Sequence, residues 1–155
     1  QNDIRLILVG REDYFYKRLE GKVKSLGLEK SITFVGKISD EQLTKLYKGA
    51  LALVMPSLME GFGLSALEAM ANKCLVLASK ILALEEVCSD AAIYLDPLDT
   101  NDIFKKMEAV LLNDSNHFTQ NIQKGLERAR MFSWEKMAKE TLEIYKKSRI
   151  QTNGK

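Results

Sequence analysis

Five short apolar runs, each followed by a segment of helical periodicity, constrain this chain more than any other feature. Residues 4–9 (Ile-Arg-Leu-Ile-Leu-Val) end at Gly10 and read as a buried strand. Phe15, Leu19, Val23 and Leu26 then recur at helical spacing over residues 13–26, and Gly27 stops the helix. Residues 32–35 form a strand closed by Gly36, and Asp40 is placed to cap a helix carrying Leu43, Leu46 and Tyr47. Residues 51–55 make a third strand stopped by Pro56, followed by a loop and a helix over about residues 64–71. A fourth strand (75–78), a short helix (82–87) and a fifth strand (92–95) complete the alternation. Parallel neighbours need a crossover, and a helix is the usual one. The expected fold is therefore α/β, a Rossmann-like doubly wound parallel sheet of five to six strands with helices on both faces.

Beyond Asp96-Pro97 the strand signals end. Three helices are expected, over residues 101–112, 118–131 and 134–149, with Ser133 as N-cap of the last and fraying over residues 150–155. The 155 residues contain no repeat or Gly/Ser linker, so the expectation is a single domain with a helical C-terminal extension. The chain begins with Gln1 and enters strand-like sequence within a few residues, as an excised piece of a longer polypeptide would.

Composition excludes several function classes. A formal charge of +2 gives no field that points to nucleic acid. The longest apolar stretch, residues 50–56, is far too short for a bilayer, and the polar start lacks a signal-peptide core, which suggests a cytoplasmic protein. Two cysteines and a single histidine, His117, do not make an ordinary zinc site, so no metal cofactor is expected. Cys74, Cys88, Met55, Met70 and Trp134 read as core or packing residues.

In open parallel sheets, ligands lie beyond the C-terminal ends of the strands. Of the three loops there, the one after the third strand stands out: Pro56, Ser57, Glu60, Gly61, Phe62 and Gly63 precede a helix directly. Gly61 and Gly63 leave the backbone free of side-chain bulk, so the amides of Phe62, Gly63 and Leu64 can approach a ligand. With a helix N-terminus behind them they form an anion cradle suited to a diphosphate. Glu60 and Glu68 bracket the cradle. A carboxylate repels phosphate but accepts hydrogen bonds from paired hydroxyls, as on a sugar or a ribose. A diphosphate flanked by two polyols is a nucleotide sugar.

The stretch 34–43 (Phe-Val-Gly-Lys-Ile-Ser-Asp-Glu-Gln-Leu), Leu46-Tyr47, Ala50, Pro56-Ser57, Glu60-Gly61-Phe62-Gly63-Leu64 and Leu67-Glu68-Ala69-Met70-Ala71 together resemble the C-terminal domain of the retaining GT-B glycosyltransferases of group 1, or family 4. The two glutamates eight positions apart are that family's hallmark. Ala78-Ser79, Glu86-Val87, Asp90-Ala91-Ala92, Asp96-Pro97 and Phe132-Ser133-Trp134 extend the match over nearly the whole chain. The resemblance implies that Glu60, the candidate catalytic residue, holds the donor sugar. It also implies that the amides of Phe62, Gly63 and Leu64 meet sugar and diphosphate, and that Glu68 grips the ribose. Ile38 would meet the base through its backbone, with Gly36 permitting the approach. It further implies a missing N-terminal domain that binds the acceptor, and a fragment that alone turns over little.

The chain departs from the family pattern in places. Lys73 and Leu75 stand where a small residue and a proline are common, and Arg11-Glu12-Asp13 replaces a Gly-rich turn. The basic pair that neutralises the diphosphate is expected upstream of the first strand. Arg11, Lys37 and Lys73 are further basic candidates. Gly61-Phe62-Gly63-Leu64-Ser65-Ala66 also fits a dinucleotide fingerprint, with Glu85 or Glu86 following, but the fingerprint belongs in a first strand-helix unit. Alternatives to glycosyl transfer are a non-catalytic nucleotide-binding module and a nucleotide-sugar epimerase of the same fold. The basic segment 136–147 could touch an anionic membrane, but packing on this domain or on a partner domain is the stronger expectation.

Overall fold

The structure, a computed structural model, describes residues 4–113 and 115–152. The chain divides into two compact units, Gln1–Lys45 and Leu46–Lys155. The expected alternation is present throughout, with parallel strands and flanking helices.

In the first unit, β1 (Leu6–Val9) pairs in parallel with β2 (Ile32–Gly36) through α1 (Tyr14–Ser25). The Asp13 carboxylate accepts from the Tyr16 amide at 3.0 Å and caps α1. At the other end Gly27, at φ +66°, closes a Schellman turn in which Gly27 N–H meets Lys24 O and Leu28 N–H meets Val23 O. Helix α2 (Asp40–Gly49) starts differently from expectation. Its cap is Ser39: the Gln42 amide donates to Ser39 Oγ at 3.2 Å, and Ser39 N–H donates to Gln42 Oε1 at 2.9 Å. This reciprocal capping box displaces Asp40 to the first helical position, where its charge still favours the helix N-terminus.

In the second unit, β3 (Ala52–Met55), β4 (Leu75–Ser79) and β5 (Ile93–Leu95) form a parallel sheet in the order β3-β4-β5. Strand β4 is central, and all five of its residues are buried. Alternate strand residues face opposite sides, so burial of both sets means both faces are covered. On one face Leu75, Leu77 and Leu95 pack with Ile103, Met107 and Val110 of α5 (Thr100–Leu112) and Ile122 of α6 (Thr119–Arg130). α6 also packs against α3 (Leu64–Ala71), where Gly125 lets the Met70 side chain approach closely. α4 (Leu82–Cys88) contributes the buried Leu84, Val87 and Cys88.

Other expectations are corrected as well. The strands pair as separate ladders of two and three rather than as one sheet of five to six. Apolar runs reveal strands but not which strand pairs with which. Trp134 is 71% exposed rather than a core residue, and every side chain from 134 to 148 of α7 (Trp134–Thr152) is exposed, so this helix does not pack on the domain. Its start is as expected, with the Lys136 amide donating to Ser133 Oγ at 3.1 Å. Its end is not: residues 150–152 are helical rather than frayed, while residues 153–155 lie outside those described. Phe15, Leu19 and Leu26, which share the apolar stripe of α1 with the buried Val23, are also exposed. No described helix is long and apolar enough to cross a membrane.

Candidate functional site

The loop after β3 is anchored from below by a buried hydroxyl. Ser79, fully buried at the end of β4, donates to the Met55 carbonyl at 3.1 Å and fixes the last residue of β3 before Pro56 turns the chain. Two residues later Ser57 Oγ donates to Glu60 Oε1 at 2.7 Å, so one oxygen of this carboxylate is tied to its own loop. The loop then ends at Gly63, which caps α3 in the left-handed conformation, φ +103° and ψ +42°.

That conformation decides how the helix presents itself. A glycine cap has no side chain to return a hydrogen bond, and the first backbone N–H groups of a helix have no intrahelical partner. The amides of Phe62, Gly63, Leu64 and Ser65 have no acceptor among the described residues; the first amide of this turn that bonds inward is Ala66, to Gly63 O at 3.0 Å. Gly61 is exposed, with nothing within 4 Å of a side chain placed there, whereas Gly63 is buried against Leu84. These amides thus line up without intramolecular acceptors at a helix N-terminus, where the macrodipole favours an anion.

Glu68 is exposed, about one turn into α3, and its Oε2 accepts from the Tyr47 hydroxyl at 3.3 Å. Tyr47 itself is buried, with the Ser65 hydroxyl beside it. Burial first, and the Glu68 charge second, push the Tyr47 pKa up to about 12, so the phenol keeps its proton and stays a donor to Glu68 at neutral pH. Each glutamate therefore has one oxygen engaged by a protein hydroxyl, Glu60 Oε1 by Ser57 and Glu68 Oε2 by Tyr47.

Residues 60–64 and 68 lie together in the second unit, in the loop before α3 and in α3 itself. Gly36 and Ile38 belong to the first unit. There Gly36 lies at φ +65°, and a Cβ on it would stand 2.9 Å from Glu12 Oε1, so the Glu12 carboxylate fills the space that the missing side chain leaves. The Tyr16 ring meets Phe34 edge-on at 5.1 Å. An open depression of about 370 Å³ beyond β4 and β5, lined by Lys80, Tyr94, Asp96, Pro97, Asp102 and Lys106 among others, contains none of the expected site residues. Among the described residues no group of three or more His, Cys, Asp and Glu side chains could hold a metal.

Several contributors were not visible in the sequence as such. Tyr47 reads only as an apolar helix position, and its bond to Glu68, 21 residues away, has no local signature. Leu84 and Phe132 reach the loop from later elements. Ser57 is different, since a hydroxyl three positions before an acidic residue in a loop is a readable local pair.

Comparison with known proteins extends this picture. Residues 1–127 match the family described as glycosyl transferases group 1. The chain is 38% identical over 115 residues to the O-antigen chain mannosyltransferase B of Escherichia coli, covering 74% of this chain and 30% of that protein. Among solved structures, the sucrose-phosphate synthase of Thermosynechococcus elongatus superposes with a TM-score of 0.84 at 31% identity, over 95% of this chain and 39% of that one. The Anabaena protein HepE, in complex with UDP and glucose, has the same fold at a TM-score of 0.81 and 20% identity, over 92% of this chain and 40% of that one. The chain thus spans well under half the length of each.

Proposed function

Since this chain belongs to the group 1 glycosyltransferases, we propose that residues 60–68 grip a nucleoside-diphosphate sugar, the donor from which the whole protein transfers a sugar to an acceptor hydroxyl. The observation that carries this reading is the row of amides without intramolecular acceptors at Gly63, flanked by two carboxylates that are each braced through one oxygen by a protein hydroxyl. An anion fits between groups that donate, and a polyol fits groups that accept.

The residues divide the work by chemistry. The amides of Phe62, Gly63 and Leu64 receive the diphosphate and stabilise the charge that develops on it as the glycosidic bond breaks. Glu60, braced by Ser57, orients the sugar hydroxyls. Glu68, braced by the neutral Tyr47, accepts from the ribose diol. No metal is assigned to this half, because amides meet the phosphates. Retention at the anomeric carbon, a role in making polysaccharide, glycolipid or glycoconjugate, and a cytoplasmic site of action with peripheral membrane contact all belong to the same proposal. An acceptor-binding domain in the parent polypeptide belongs to it as well, along with the basic groups that neutralise the diphosphate. HepE, which shares this fold, holds UDP and glucose. For the first unit, contact of a base with the backbone at Ile38 and Gly36 remains part of the proposal.

The test is an amide-resolved NMR titration of the chain with UDP-glucose, GDP-mannose and ADP-glucose. The expected result is saturable shifts at Phe62, Gly63 and Leu64 with one of these donors. Shifts confined to other residues, or none up to millimolar donor, would refute the site.

A further inference from the structure

The Phe132-Ser133-Trp134 motif has no part in the donor chemistry, yet the structure ties it to the donor loop. The Phe132 ring meets the Phe62 ring edge-on, with centroids 5.7 Å apart. The Arg128 guanidinium in turn lies 5.0 Å from the Phe132 centroid. Arg128 is itself held: Nε donates to Val87 O at 2.9 Å and Nη2 to Glu86 O at 2.6 Å, the carbonyls near the C-terminal end of α4, where positive charge is favoured. The same helix supplies Leu84, which lies against Gly63. Helix α4 thus reaches two adjacent residues of the cradle, directly at Gly63 and through Arg128 and Phe132 at Phe62.

We infer that Arg128 and Phe132 are positioning residues that hold Phe62, and with it the first amide of the cradle, in the geometry that receives the donor. The consequence for affinity rests on the donor reading; the mechanical link does not. Three features support the assignment over simple packing. Phe62 remains 42% exposed, so the loop has little burial of its own to fix it. Its amide has no bond within the described residues. The guanidinium is fixed by two carbonyls, so the ring stacked on it has a rigid backing rather than a mobile one.

Backbone order parameters from ¹⁵N relaxation of the ligand-free chain read the link directly. In the parent chain Phe62 and Gly63 should stand close to the rigid-backbone value of about 0.85, and in Phe132→Ala and Arg128→Ala they should fall below about 0.6, while Leu77 in β4 stays unchanged. Phe132→Tyr, which restores the edge-on ring, should recover the parent values. If Arg128→Ala fails to fold, Arg128→Lys is read instead with the same expected fall, since a lysine cannot span both carbonyls and lie flat on the ring. Unchanged order at Phe62 and Gly63, or a fall shared equally with Leu77, overturns the inference. With UDP-glucose or GDP-mannose as probe, Phe132→Ala should raise Kd roughly fivefold, the scale of one aromatic pair. An unchanged Kd overturns the functional half of the inference. If the parent chain binds neither probe, it is the donor reading that fails, and the order parameters alone decide the link.

Discussion

Leu84 Cδ2 lies 2.6 Å from the point where a β-carbon on Gly63 would stand, and Gly63 itself occupies the left-handed region at φ +103°. Gly63→Ala therefore meets a steric overlap and a disfavoured backbone at once, at a cost of about 2–4 kcal/mol. Gly61→Ala meets nothing within 4 Å and takes no left-handed φ. Its stability should stay within about 0.5 kcal/mol of the parent, as for surface substitutions generally. Denaturant unfolding of the two variants measures the contrast. If Gly61→Ala retains stability but loses donor affinity, the open space over Gly61 is ligand space.

Lys73 sits at φ +60° in the position that follows the C-cap of α3. Its N–H bonds to Met70 O at 3.0 Å, and Cys74 N–H bonds to Ala69 O at 2.9 Å, the two bonds of a Schellman turn. Gly27 fills the equivalent place after α1. A side chain in the left-handed region is costly, so Lys73→Gly should stabilise the chain by about 1 kcal/mol and raise Tm by about 2–4 °C. Calorimetric melting checks it, and an unchanged or lower Tm would contradict the strain.

Burial pushes both Tyr47 and Tyr94 up to about 12. In the unfolded chain each phenol ionises near its ordinary value of 10.0. Below that pH both states keep the proton and the contribution to stability is complete. Between about 10 and 12 the unfolded state loses protons that the folded state holds, so stability falls with rising pH. Tyr47→Phe should flatten the fall of Tm between pH 10 and 12. A slope equal to that of the parent would mean the buried phenol contributes nothing to it.

Much of this was legible in the sequence because local chemistry decided it. Gly27 and Pro56 mark stops, Asp13 and Ser133 mark starts, and each acts within a few residues of itself. The cap of α2 was misplaced by one residue because Ser39 and Asp40 are both good caps, and only the reciprocal bond with Gln42 decides between them. What was not legible is long-range. Apolar spacing marks Trp134 and Phe15 as facing something, but says nothing of what; both are exposed in this chain. The pairing of β1 with β2 and of β3 with β4 depends on crossovers rather than on residue type. The same holds at the site: residues 60–68 could be read as a unit, while Tyr47, Leu84 and Phe132 come to it only through the fold.

The central claim is that Glu68 grips the ribose of a nucleotide sugar whose diphosphate sits on the amides at Gly63. Calorimetric titration of the chain with UDP-glucose, GDP-mannose and ADP-glucose, repeated with Glu68→Ala, tests it most directly. The account predicts that one donor binds with Kd in the micromolar to millimolar range, and that Glu68→Ala raises this Kd about tenfold or more through loss of charged hydrogen bonds. An equal Kd for the parent and Glu68→Ala, or no binding of any of the three donors, would contradict it.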